Sequence, residues 1–131
     1  MILTSALLCL SLNLYHESRG EMIPGQYAVA MVTMNRANSN PDNVCKVVLK
    51  PHQFSWTTKM VKGNQLTQAG EPKEEHAWSV AQTIAKVVLS GRFRDFTDGA
   101  KFYHANYVKP KWRLSMVQTK VLGHHIFYRQ A

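Results

Sequence analysis

LTSALLCLSLNLYHESRGE, residues 3–21, sets leucines at positions 3, 7, 10 and 14 and then a glutamate at 17. The spacings of 4, 3, 4 and 3 trace one face of an α-helix, and Ala6 widens the stripe. Glu17 stands where the next buried residue is due. Periodicity alone leaves two readings open. Glu17 is either a solvated residue at a helix end or a partly desolvated carboxylic acid. Arg19 and Gly20 stop the helix, with Gly20 suited to its C-terminal cap.

Working outward, Pro24 and Gly25 open a second helix that runs to about Ala37; Ala28, Val29 and Val32 give it an apolar face that turns polar at Asn35 and Arg36. SNPD at 39–42 reads as a turn, capped by Ser39 or Asn40, into a short helix through VCKVVLK. Residues 51–72 read mostly as loop. PKEEHAWSVAQTIAKVVLSG is the clearest helix, with Ala77, Ala81, Ile84, Ala85, Val88 and Leu89 on one face and Gly91 as its stop. KFYHANYV and GHHIFYR have the aromatic and β-branched texture of short strands. The expected fold class is α+β, mainly α, with a small β element and no parallel sheet.

The 131 residues suit a single domain, 1–131, and the 45% apolar and 18% charged content excludes a disordered or low-complexity chain. The net charge is +8, and residues 92–131 carry eight basic residues against Asp95 and Asp98, a net +6. Such a surface suits a polyanion: nucleic acid, anionic lipid or bacterial wall polymer. No segment reaches the roughly 18 apolar residues of a membrane span. Residues 1–14 lack the basic start and small-residue cleavage site of a signal peptide. Export is therefore expected to depend on another factor or on a leader outside this sequence. Cys9 and Cys45 form no CxxC pair and read as small core residues; a disulfide between them stays open.

His16-Glu17 lacks the histidine at position 20 that a zinc-binding HExxH needs, and the remaining histidines are not at ligand spacing, so no metal is expected. Neither GxSxG nor a phosphate-binding glycine loop is present. Carboxylate chemistry remains. Burial disfavours the charged form of a glutamate and raises its pKa, which gives the protonated acid that glycoside cleavage requires. Glu21, Asp95 and Asp98 are the candidates for a second carboxylate.

YHESRGEMIPGQYAVAMVTMNR (15–36), PDNVCKVV (41–48), HQFSW (52–56), GAKFYHANYVKPKW (99–112) and GHHIFY (123–128) together resemble, in order, the motifs of the cortex-lytic cell wall hydrolase family. That family comprises germination hydrolases whose domain also occurs in phage endolysins. The resemblance implies a lysozyme-like, lytic-transglycosylase-like fold, no cofactor, and Glu17 as the catalytic acid. Such an enzyme cleaves the bond between N-acetylmuramic acid and N-acetylglucosamine and closes a 1,6-anhydro ring, so that one carboxyl group suffices.

Gln53, Ser55, Tyr103, Asn106, His125 and Tyr128 are the expected sugar contacts, and His16 is expected to border the cleft. Glu21 is expected to be a structural partner rather than a nucleophile, and Arg36 to be structural. Phe54, Phe102 and Phe127 are read as core and Trp78 as packing, while Trp112 fits either wall or core. The expected partner is peptidoglycan glycan, met by a monomer without nucleic acid or membrane insertion. A compact basic domain suits a phage endolysin, held in the host cytoplasm until holin-dependent release into the periplasm. The alternatives are a hydrolytic muramidase with a second carboxylate and a basic nucleic-acid-binding module.

Overall fold

A computed structural model describes residues 1–131. Five α-helices come first in the chain: α1 (Ala6–Ser18), α2 (Ile23–Arg36), α3 (Val44–Val48), α4 (Ser55–Met60) and α5 (Glu75–Leu89). A two-stranded hairpin, β1 (Val61–Lys62) and β2 (Gln65–Leu66), lies between α4 and α5. The C-terminal part forms an antiparallel sheet from β3 (Phe102–Ala105), β4 (Met116–Leu122) and β5 (His125–Gln130), with β5 in the centre. The architecture is α+β and mainly helical.

Helix α1 is the axis of the core. Ser5 caps it by accepting a bond from the Leu8 amide at 3.1 Å, so Leu3 precedes the helix, although it too is buried. Leu10 and Leu14 are buried as their spacing predicts, but so is every residue from Cys9 to Tyr15. The stripe is therefore a full cylinder, because α2, α3 and α5 all pack on α1. Of the polar residues buried in this stretch, Ser11 Oγ has no partner, whereas Asn13 is accommodated by bonds. Asn13 donates to Thr33 Oγ1 at 3.4 Å and accepts from the Trp56 indole at 2.9 Å, which offsets much of its desolvation.

The second helix begins at Ile23 with Pro24 in its first turn, as expected, and ends at Arg36. Residues 51–72 depart from the loop reading. They hold α4, the β1–β2 hairpin and a 3-10 turn at Gln68–Gly70. These elements are too short to leave a periodic signal, and tertiary contacts fix them: Leu3 N donates to Asn64 O, and Leu66 N to Met1 O. On α5, Ala81, Ile84, Ala85 and Val88 are buried, while Ala77 and Leu89 are half-buried at the margin. Trp78 packs edge-on against Tyr15.

Cys9 and Cys45 are joined in a disulfide, with Cα atoms 5.4 Å apart. This settles the pairing that the sequence leaves open, and Cys9 is a buried core residue as well. The bond ties α1 to α3, a proximity that the 36-residue separation does not reveal.

The sheet positions the last third of the chain. Tyr103 pairs with Phe127, and His125 pairs with both Ala105 and Leu122. Between β4 and β5 the chain reverses at Gly123, whose φ of +56° favours glycine; a Cβ there would also lie 2.9 Å from Glu21 Oε1.

Candidate active site

Glu17 lies on the last turn of α1, where the helix leaves the core. Ser18 bonds back to the Leu14 carbonyl at 2.9 Å, and Gly20, at φ +84°, turns the chain away. The Glu17 side chain opens onto a cleft of about 470 Å³ between the helices and the sheet. Val32 and Arg36 of α2 form one wall, and His52, Gln53 and Phe54 form the approach to α4. Lys101, Phe102 and Tyr103 at the start of β3, with Trp112 and Met116, complete it. Glu17 is the sole carboxylate among these lining residues.

Tyr103 donates its hydroxyl to Glu17 Oε1 at 2.5 Å. Burial pushes the Glu17 carboxyl above its ordinary pKa, and the Tyr103 bond reduces the rise without cancelling it. No ion pair holds the carboxylate down. Tyr103 itself is driven well above the ordinary phenol range, first by burial and then by the adjacent Glu17, so it remains a protonated donor. The pair thus presents a carboxyl group biased toward its acid form, with one oxygen occupied by a phenol.

The other carboxylates are engaged elsewhere. Glu21, 14% exposed, accepts from the His124 amide at 2.9 Å and bonds His124 Nδ1 at 2.8 Å, fastening the β4–β5 turn to the α1–α2 connection. Burial alone would raise the Glu21 pKa, but the His124 bonds and the neighbouring His125 lower it below the ordinary value. Asp95 accepts from the Thr97 amide and hydroxyl, the Gly99 amide and Asn35 Nδ2. Asp98 lies near Arg129 at 3.6 Å. None of the three lines the cleft.

Of the expected sugar contacts, Gln53 and Tyr103 line the cleft, and four do not. Ser55 is exposed at the start of α4, where the helix turns it outward. Asn106 is exposed beyond the end of β3, its backbone amide bonded to the His124 carbonyl. Tyr128 is buried against His104 and Trp112, with its hydroxyl bonded to His104 Nε2 at 2.8 Å. His125 packs edge-on behind Tyr103, with Nδ1 3.7 Å from Glu21 Oε1, and so supports the acid's partner rather than the cleft. His16 also lies off the cleft, stacked on Trp56 with Nε2 2.9 Å from the Gly70 carbonyl. Phe102, read as core, forms cleft wall together with Trp112, their rings 5.9 Å apart. Phe54 is buried but also reaches the cleft, and Phe127 is core.

The profile of the Cell Wall Hydrolase family matches residues 20–128. The chain belongs to this family. The match opens just after Glu17, and it includes Tyr103 and the other cleft residues from Val32 to Met116. The cell wall hydrolase domain is 33% identical over 117 residues to the spore cortex-lytic enzyme of Halalkalibacterium halodurans, which covers 86% of this chain and 31% of the relative. It is 33% identical to the Bacillus cereus spore cortex-lytic enzyme, over 86% of this chain and 40% of that protein. The chain thus spans about a third to two fifths of the length of the curated relatives it matches.

Its fold is that of the catalytic domain of the Bacillus cereus SleB protein, with a TM-score of 0.71 and 30% identity over 95% of this chain and 89% of that one. The catalytic domain of the germination-specific lytic transglycosylase SleB from Bacillus anthracis gives a TM-score of 0.71 at 29% identity, over 95% and 93% of the two chains. Two cleft residues of the cell wall hydrolase domain, Val32 and Met116, carried no signal for the cleft in the sequence, Val32 reading only as part of an apolar helix face. Each is an apolar residue like many others, and only the tertiary fold brings them to one wall.

Proposed function

We propose that the domain cleaves the β-1,4 bond between N-acetylmuramic acid and N-acetylglucosamine in peptidoglycan, as a lytic transglycosylase. The observation that carries this reading is Glu17, a desolvated carboxyl group bonded to Tyr103 and the one acid of a cleft lined by aromatic, amide and basic side chains. The solved relative of the same fold that is named a lytic transglycosylase supports it.

With Tyr103 on Oε1, the acidic proton resides on Oε2. Glu17 delivers that proton to the glycosidic oxygen as the C1–O bond breaks. The resulting carboxylate then removes the proton from the sugar's own 6-hydroxyl, and O6 bonds to C1 to close the 1,6-anhydro ring. Proton and electron pair balance within the glycan, and no water is consumed. A single carboxyl group serves both steps, in keeping with the engagement of Glu21 and Asp95 in structural bonds.

The setting we infer is that of a phage endolysin working on the wall from the periplasmic side after holin-dependent release, as a monomer. The net charge of +8 supports attraction to an anionic wall. Mass spectrometry of a digest of purified sacculi tests the chemistry. Muropeptides ending in 1,6-anhydro sugars are expected, and Glu17→Gln should reduce their release by about 10²–10⁴-fold. Reducing ends would instead make the enzyme a hydrolytic muramidase. Undiminished release by Glu17→Gln would refute the assignment of the acid.

A further inference from the structure

Arg36 ends α2 with its guanidinium half-buried in the cleft wall. Its Nε donates to the Lys101 carbonyl at 2.6 Å, and its Cζ lies 4.8 Å over the Phe102 ring. These two contacts fix the plane of the group. They leave its two terminal amino nitrogens without a protein acceptor, since the Nε bond is the only one that the side chain makes. No carboxylate pairs with Arg36, whereas Arg19 and Arg129 each face an acid, Glu74 and Asp98. Its position at a helix C-terminus favours a positive charge. That accounts for the tolerance of a cation there, but not for an oriented fork with free donors.

Lys101, whose carbonyl holds Arg36, lines the same cleft, and its ammonium also has no ion-pair partner. His52 lies on the cleft as well. A partly desolvated guanidinium held flat with both amino groups free is built for a planar, bidentate oxyanion. Glu17, the sole acid on the cleft, is engaged by Tyr103 and stands in no ion pair.

We propose that Arg36 and Lys101 form a carboxylate-binding subsite that selects glycan bearing a negatively charged substituent close to the scissile bond. This deepens the peptidoglycan reading above and rests on it. Two sources offer this chemistry on a muramic acid ring. One is a carboxylate of the stem peptide. The other is the lactyl carboxylate itself, which is exposed where the peptide has been removed. Arg36, read from the sequence as structural, thus has both roles: Nε braces the β3 entrance, and the amino groups face substrate.

Initial rates of the intact domain are to be measured on four substrates. These are sacculi with native stem peptides, sacculi stripped of peptide by an amidase, and each of the two after conversion of its carboxylates to neutral amides. Amidation is expected to raise the KM of the wild-type protein about tenfold with little change in kcat. A preference confined to the native pair identifies the stem peptide as the source, and one confined to the stripped pair identifies the lactyl group.

Arg36→Gln and Lys101→Gln should each shrink the preference for the charged substrate, and Arg36→Lys should restore it only in part. Lys101→Gln keeps the backbone carbonyl that Arg36 needs, so it tests the subsite even if Arg36→Gln fails to fold. Equal kcat/KM on charged and amidated substrate in both pairs overturns the subsite and leaves the peptidoglycan reading intact. Failure of the wild-type protein to cleave any of the four overturns the peptidoglycan reading itself.

Discussion

Tyr103 and Glu17, 86 residues apart in the chain, meet at 2.5 Å across the cleft, so that the acid from the first helix is completed by a phenol from the sheet. The bond opposes the burial that raises the Glu17 pKa. Removing it with Tyr103→Phe should raise that pKa further, and the protonated form will persist to higher pH. The alkaline limb of the kcat–pH profile is expected to move upward, while kcat itself falls about tenfold from lost positioning. An unmoved limb would show that the hydroxyl does not act on the acid.

Glu17 should carry a stability cost that depends on pH. Its folded-state pKa lies above the unfolded value, so its favourable contribution is complete below the unfolded pKa and is lost as pH rises through the folded one. Glu17→Gln, which can still accept the Tyr103 bond, should therefore melt a few degrees higher than wild type at pH 8. The gap should close near pH 4. Calorimetry at the two pH values checks this, and a variant less stable at pH 8 would contradict the burial of the acid.

Glu21 should behave in the opposite sense. Its folded pKa is depressed by the His124 bonds, so its contribution is present above the unfolded pKa and fades as pH falls through the folded one. Glu21→Gln is expected to lower Tm at pH 7 and to match wild type in acid, where both are uncharged at this position. Its kcat should remain within about tenfold of wild type, because the carboxylate fastens a turn and does not line the cleft. A loss as large as that of Glu17→Gln would promote Glu21 to the chemistry.

The Cys9–Cys45 bridge closes a separation of 36 residues. Loop-closure entropy for a span of that length is worth about 3–4 kcal/mol. Cys9→Ala/Cys45→Ala should lower the denaturant midpoint accordingly, with the same catalytic pH profile as wild type. A reductant should reproduce the effect on the wild-type protein and leave the double variant unchanged.

Periodicity set Glu17 on the helical path of Leu10 and Leu14 but left its burial open, and only the ordered motif resemblance favoured the acid reading. Periodicity did not show that Leu12, on the opposite side, and Asn13, on the flank, are equally buried, since burial of a whole cylinder depends on how many neighbours arrive. Strand β4 left little trace because its burial alternates poorly, as expected of a half-exposed edge strand. Gln53 and Tyr103 were placed on the cleft, whereas Tyr128 and His125 were not. An aromatic or imidazole ring reads the same whether it meets a sugar or a neighbouring ring, and register within the sheet decides which. Phe102 was misjudged for the same reason: it neighbours Tyr103 in sequence, yet meets the Arg36 guanidinium and Trp112 at the cleft wall.

The central strand of the main sheet is also its last in sequence: β3 reaches the rest of the sheet only through β5, and Tyr103 is held opposite Phe127. During synthesis the helix bearing Glu17 emerges first, but the strand that fixes its partner emerges almost at the end of these residues. A nascent chain arrested before residue 125 therefore carries both Glu17 and Tyr103 but not the strand that holds the phenol against the acid. The order of translation keeps the paired site incomplete until nearly every residue of this region has been made.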